Sequence, residues 1–96
     1  MTVVHCKRAP YTVYIGRPSR FGNPFHVSRQ LSRAAAIAQF EAYARETPAL
    51  LAAIRALPAD AVLGCWCAPL PCHGDVIVTL WNEHHAPPTT STTGSV

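Results

Sequence analysis

Acidic residues are scarce in this chain, and its first forty positions contain none. The 96 residues include five aspartates and glutamates against eight lysines and arginines, so the formal net charge is +3. That charge is uneven, because residues 1–40 carry +6 and the remainder carries −3. A basic half of this kind indicates an anionic partner, such as a nucleotide, another phosphorylated ligand or nucleic acid. The alternative is a solvated basic face that docks against the acidic half.

Long hydrophobic runs are also lacking. Hydrophobic residues make up 49% of the chain, yet no run approaches the roughly 20 residues that span a membrane. The first eight residues lack the apolar segment of a secretory signal. We therefore expect a cytoplasmic protein without a membrane partner, whose clustered cysteines form a metal or reactive site rather than a disulfide framework. For an exported protein, a Cys67–Cys72 disulfide would be the expectation instead.

The hydrophobic pattern predicts one small α/β domain over residues 1–85, with a disordered tail over residues 86–96. We expect a short mixed or mostly parallel sheet flanked by about three helices, a minimal Rossmann-like arrangement. Ser32 is predicted to cap the first helix, and Thr47 the second, with Pro48 at its first helical position. The predicted elements are, in chain order, strands at 3–4 and 11–15 joined by a turn, helices at 32–46 and 48–57, a buried strand at 61–67, and a helix from 74 to 84 or 85.

Two polar segments follow predicted strands. The arginine loop comprises residues 16–25, and the cysteine block comprises residues 64–75. Ligands of open α/β sheets bind at the carboxyl ends of the strands. If the two preceding strands are parallel neighbours, both segments open onto one edge of the sheet and form one site.

The cysteine block has a composition that suits tetrahedral zinc, with three sulfurs and an imidazole. Alternation along a strand turns two of the thiols to one face and Trp66 to the other. The spacing is not that of a zinc-finger knuckle, and neighbouring side chains diverge unless the backbone turns sharply. His5, Cys6 or His26 are therefore alternative fourth ligands. The predicted ligand set for zinc is Cys65, Cys67, Cys72 and His73.

Two other interpretations of the cysteine block stay open. In one, Cys72 is a reactive thiol whose pKa is lowered by a helix N-terminus, with His73 or Asp75 as its base. Cys72 and Asp75 would then be the catalytic groups of an enzyme that processes a nucleotide or nucleoside. In the other, Cys65 and Cys67 are only buried small residues, the block begins a helix, and Asp75 is a favourable acid in its first turn.

The arginine loop is a candidate ligand-binding segment. Arg17 and Arg20 offer planar donor groups suited to phosphate or carboxylate, and Asn23 offers an amide. The loop matches neither the Walker phosphate loop nor the G-x-G-x-x-G fingerprint. The structural alternative is that Arg17 pairs with Asp75 and that residues 22–24 only form a turn.

The two blocks together resemble a family of small phage and bacterial proteins known as a domain of unknown function. The shared residues are Tyr14–Arg17 and Gly22–Phe25 in the first block, and Cys65–Cys67 and Pro71–Val76 in the second. The resemblance implies that both blocks form one site in a phage-encoded protein of the host cytoplasm. It brings no activity with it, and a module that binds a host protein is a further alternative. His5 and Cys6 lie outside the shared pattern.

Overall fold

The computed structural model describes residues 1–85, so the predicted tail over residues 86–96 lies outside the described part. The described chain is a small α/β domain with three helices and a three-stranded sheet, which confirms the predicted fold class. Its elements are β1 (Thr2–His5), β2 (Val13–Tyr14), α1 (Arg33–Arg45), α2 (Pro48–Arg55), β3 (Val62–Cys65) and α3 (His73–His85).

The last strand in the sequence lies at the centre of the sheet. The strand order is β1-β3-β2, and β3 is parallel to both neighbours. Its register aligns Thr2 with Val62 on one side and Val13 with Leu63 on the other. The sheet is therefore parallel throughout the described residues. This arrangement makes β2 and β3 parallel neighbours, as the one-edge hypothesis requires.

The segment between β1 and β2 crosses from one edge of the sheet to the other, which is a greater distance than the predicted turn would span. Because both strands are parallel to β3, residues 6–12 return from the carboxyl end of β1 to the start of β2. On the way Tyr11 packs over the central strand at Gly64. A Cβ atom on Gly64 would lie 2.6 Å from Cγ of Tyr11. The glycine inside the strand thus marks a close approach of another segment.

The helices begin close to where the capping pattern predicts. Ser32 Oγ accepts a hydrogen bond from the Ala35 N–H at 3.1 Å, which confirms it as the cap of α1. Thr47 occupies the cap position of α2, but its hydroxyl donates to the Tyr43 carbonyl at 2.7 Å. The side-chain cap predicted for Thr47 is therefore wrong, because the preceding helix takes its hydroxyl.

The core lies between one face of the sheet and the three helices. Leu63 and Cys65 of β3 are buried there, together with Phe40 of α1, Ile54 of α2 and Ile77 of α3. Helix α3 contacts both other helices and β1, which fixes its N-terminus against the sheet. Within residues 1–85, no helix combines the length and apolar character required to cross a bilayer.

Candidate functional site

The arginine loop and the cysteine block meet at one pocket of about 290 Å³. It lies beyond the carboxyl ends of β2 and β3, where the topology of a parallel sheet places ligand sites. Both loops and the start of α1 build its wall. The polar and aromatic residues of that wall are Arg17, Asn23, Phe25, His26, Arg33, Cys65, Trp66, Cys67, Cys72 and His73. Two predicted site residues, Arg20 and Asp75, are not part of it.

The wall of the pocket carries positive charge and no carboxylate. Arg17 Nη1 donates to the Asn23 carbonyl at 2.6 Å, and Arg33 Nη1 donates to the Pro71 carbonyl at 3.4 Å. Among residues 1–85, the ion pairs join Arg45 to two glutamates of α1 and α3. The ion pair between Arg17 and Asp75, which was the structural alternative for the arginine loop, is therefore not formed. Both guanidinium groups of the pocket lack an acidic partner in the described chain.

Asn23 holds the arginine loop against α1. Its Oδ1 accepts a hydrogen bond from the Phe25 N–H at 2.8 Å, and its Nδ2 donates to the Ala36 carbonyl at 3.2 Å. Since both ends of the amide bond to the protein, Asn23 fixes the shape of the pocket wall. A direct contact between its side chain and a ligand stays a prediction.

Cys72 and Asp75 form a reciprocal cap at the start of α3. Cys72 Sγ accepts from the Gly74 N–H at 3.3 Å, and Asp75 Oδ2 accepts from the Cys72 N–H at 3.2 Å. This resembles a capping box, with cysteine and aspartate in the places of serine and glutamate, except that the thiol accepts from the second helical N–H rather than the third. The sequence signal was a Cys-x-x-Asp spacing at a helix start. None of the sequence-based interpretations of Asp75, as a base, a catalytic group or a first-turn acid, includes this cap.

The thiol of Cys72 is buried beside a second thiol. Its Sγ lies 3.4 Å from Sγ of Cys65, and both residues are almost fully enclosed. Burial, and next the hydrogen bond with Cys65, raises the pKa of Cys72 to about 12. The Gly74 N–H acts in the opposite direction and is the weaker effect. The lowered pKa expected at a helix N-terminus is thus wrong for Cys72, which is a neutral thiol at pH 7.

His73 is a neutral, buried imidazole that ties α3 to the end of β2. Its Nε2 lies 2.7 Å from the Ile15 carbonyl oxygen. Because a carbonyl only accepts, Nε2 carries the proton. The ring packs edge-to-face on Phe40, with 5.0 Å between centroids. Burial lowers the pKa of His73, and the carbonyls of Ile15 and Phe21 oppose that effect.

The predicted zinc ligands do not converge on one point in the described chain. Within residues 1–85, no group of three or more histidine, cysteine, aspartate or glutamate side chains has an arrangement that could hold a metal ion. Cys65 and Cys72 are close together, but His73 Nε2 bonds to the Ile15 carbonyl. Two adjacent thiols are half of a tetrahedral set. Zinc binding by Cys65, Cys67, Cys72 and His73 stays a prediction.

The alternative metal ligands also have other contacts. His5 Nδ1 accepts from the Lys7 N–H at 3.1 Å, and its ring packs edge-on against Trp66. His26 lines the pocket from the arginine loop. Cys6 is half-buried, and its N–H donates to the Cys65 carbonyl at 2.8 Å.

Sequence reasoning missed two residues of the wall. In the sequence Trp66 stands out only as the residue between two cysteines, yet it is 55% exposed at the pocket. In the sequence Arg33 is one of several cations of the basic half, yet it is the first residue of α1 and reaches the cysteine block. A cation one position after a helix cap was the available signal for Arg33, but its partner lies 38 residues away.

Comparison with known proteins places the chain in a family. Neither the curated proteins nor the solved structures contain a significant match to the sequence. A family match covers residues 4–83, which include β2, β3, the arginine loop and the cysteine block. Because this match spans most of the 96 residues, the chain belongs to the family described as "Domain of unknown function (DUF4326)".

Proposed function

We propose that this protein binds a small phosphorylated ligand in the pocket between the arginine loop and the cysteine block. The observation that carries the proposal is a wall with two guanidinium groups and no carboxylate. Arginine presents several N–H donors in a planar fork that matches the oxygens of a phosphate. With one nitrogen bonded to a backbone carbonyl, each of Arg17 and Arg33 keeps further N–H groups for a ligand.

The pocket is also prepared for a ligand before binding. Its volume of about 290 Å³ is near the lower end of the range for small-molecule sites, which begins at roughly 300 Å³. The hydrogen bond from Arg17 to Asn23 and the two bonds of the Asn23 amide fix one wall. Fixing these groups in the free protein lowers the entropy lost when a ligand binds.

Inorganic pyrophosphate is the probe that tests phosphate binding without a base or sugar. Calorimetric titration is expected to give saturable binding that weakens as NaCl is added, because salt screens exposed charges. Arg17→Gln and Arg33→Gln should each weaken binding by about tenfold or more, since each removes a hydrogen bond to a charged group. Unfolding curves of both variants establish that the fold is retained.

Arg20→Gln is the matched control. Arg20 belongs to the same loop and is exposed, but it lies outside the pocket wall. The proposal requires that this variant bind pyrophosphate as the unmodified protein does. No binding by the unmodified protein, or equal losses in the Arg17, Arg20 and Arg33 variants, would contradict a defined phosphate site.

An enzyme that uses Cys72 or Asp75 has less support than a binding protein. Both residues are engaged in the cap of α3, and Asp75 lies outside the pocket wall. The raised pKa of Cys72 also disfavours a thiolate nucleophile. Phage origin, a cytoplasmic location and an interaction with a host protein stay predictions.

A further inference from the structure

We infer that the phosphorylated ligand is a nucleotide whose base stacks on the indole of Trp66. This inference rests on the proposed phosphate site and adds the chemical class of the rest of the ligand. Trp66 is 55% exposed, although tryptophan is buried on average in folded proteins, and it forms part of the pocket wall. An exposed aromatic ring beside a cationic pocket presents a flat surface to an anionic, planar ligand.

The indole of Trp66 is held in a fixed orientation. Its Nε1 donates to the Tyr14 hydroxyl at 2.8 Å, and that hydroxyl donates to the Arg17 carbonyl at 3.1 Å. The ring of His5 packs against it edge-on at 5.8 Å between centroids. Lys7 Nζ lies over the ring, 5.6 Å from the indole centroid, which is a cation–π contact. An oriented indole is thus present before any ligand arrives.

The same hydrogen bonds connect the stacking surface to the backbone of the arginine loop. Trp66 follows the end of β3, and Arg17 follows the end of the neighbouring strand β2. One side chain, that of Tyr14, connects the indole to the backbone of Arg17. In a mononucleotide, one sugar connects the base to the phosphate. In the inferred complex the base lies on Trp66 and the phosphate on Arg17, in the two segments that meet at the pocket.

Stacking on an aromatic side chain adds affinity for any base. Such stacking contributes about 1–3 kcal/mol per base, which corresponds to a factor of about 5 to 150 in affinity. It tolerates different bases, because each has a π face. The structure therefore predicts preference for a nucleotide over the sugar phosphate that lacks the base, and does not require selection of one base.

The chain contains two tryptophans, so fluorescence can isolate the one at the pocket. Trp81 is half-buried on α3, where its Nε1 donates to the Leu57 carbonyl, outside the pocket wall. In a Trp81→Phe background, the emission comes from Trp66 alone. AMP is expected to quench the Trp66 emission as it binds. Ribose 5-phosphate is expected to bind without comparable quenching.

Calorimetry with the same two probes measures the contribution of the base. AMP should bind about 5 to 150 times more tightly than ribose 5-phosphate. Trp66→Leu should reduce the affinity for AMP to near that for ribose 5-phosphate. Tyr14→Phe retains an aromatic ring but removes the hydroxyl that orients Trp66, so it should lower the affinity for AMP by a smaller factor.

The outcomes separate the stacking surface from the phosphate site. Equal binding of AMP and ribose 5-phosphate, or an unchanged preference in Trp66→Leu, would overturn base stacking and leave phosphate binding intact. No binding of pyrophosphate, AMP or ribose 5-phosphate would overturn both. A short single-stranded oligonucleotide that binds more than about tenfold more tightly than AMP would identify a nucleic-acid surface and overturn the mononucleotide.

Discussion

Cys72 combines a helix N-terminus, which favours a thiolate, with burial beside Cys65, which disfavours it. The Gly74 N–H is the single backbone donor to Cys72 Sγ in the described chain, whereas the side chain is almost fully enclosed. Burial therefore prevails, and the pKa of Cys72 rises to about 12. The helix terminus alone predicts a lowered pKa for Cys72, which has the wrong sign because desolvation is the larger effect at this site.

Alkylation of Cys72 by iodoacetamide should be slow at neutral pH. With a pKa of about 12, the thiolate fraction at pH 7 is on the order of 10⁻⁵, and the reaction requires the thiolate. Its rate should increase about tenfold per pH unit in the alkaline range below that pKa. Mass spectrometry of digested protein measures each cysteine separately.

Cys6 and Cys67 provide the internal comparison, because both are half-buried rather than enclosed. They are expected to be alkylated before Cys72 in the folded protein. A fast reaction of Cys72 at neutral pH, ahead of these two, would contradict the neutral thiol. It would also return support to the enzyme interpretation.

The start of α3 depends on the reciprocal cap, so Asp75 is expected to matter for stability and not for binding. Asp75→Ala removes the acceptor for the Cys72 N–H and a negative charge from the first turn. The expected loss in the free energy of unfolding is about 0.5–2 kcal/mol. Urea denaturation measures it, and pyrophosphate titration of the same variant should be unchanged.

Asp75→Asn separates the two contributions of that carboxylate. An asparagine keeps an oxygen acceptor and loses the charge, so it should recover part of the stability that the alanine variant loses. If Asp75→Ala were as stable as the unmodified protein but failed to bind pyrophosphate, Asp75 would act at the pocket. The capping account would then be incorrect.

Elements with a local signal were predictable from the sequence, and contacts between distant residues were not. The cap at Ser32 and the apolar spacing of α1 and α3 placed those helices within about a residue, because hydrogen bonds of helices are local. The bond from His73 to the Ile15 carbonyl joins residues 58 positions apart. No local pattern indicates such a pair, so the direction of the imidazole could not be inferred.

The zinc prediction shows the same limit at the site. Residue types and spacing identified Cys65, Cys67, Cys72 and His73 as neighbours, and all four line the pocket. Whether their donor atoms point at one another depends on backbone directions at the start of α3. There the sulfur of Cys72 turns to the Gly74 N–H and to Cys65, while the ring of His73 turns to β2.

The whole molecule is organised around β3, which both other strands require for their hydrogen bonds. Each partner lies about fifty or more positions earlier in the chain, so the sheet forms only when distant segments meet. This arrangement places the carboxyl ends of β2 and β3 side by side, and with them the arginine loop and the cysteine block. The pocket is thus a consequence of strand order.

The crossing segment over β3 leads to a prediction about Gly64 and Tyr11. A Cβ atom at position 64 would meet Cγ of Tyr11 at 2.6 Å and its Cβ at 3.0 Å. These atoms lie near the backbone, so rotation of the ring does not relieve the overlap. Gly64→Ala should therefore displace residues 6–12 and lower the free energy of unfolding by about 1–3 kcal/mol.

A double-mutant cycle with Tyr11→Ala tests whether this overlap is the cause. Tyr11→Ala removes Cγ and the ring, so Gly64→Ala should cost less in that background than in the unmodified protein. Urea denaturation of the four proteins gives the coupling free energy. Equal costs in both backgrounds would mean that the alanine is disfavoured for a reason other than Tyr11, and that residues 6–12 do not cross β3 at Gly64.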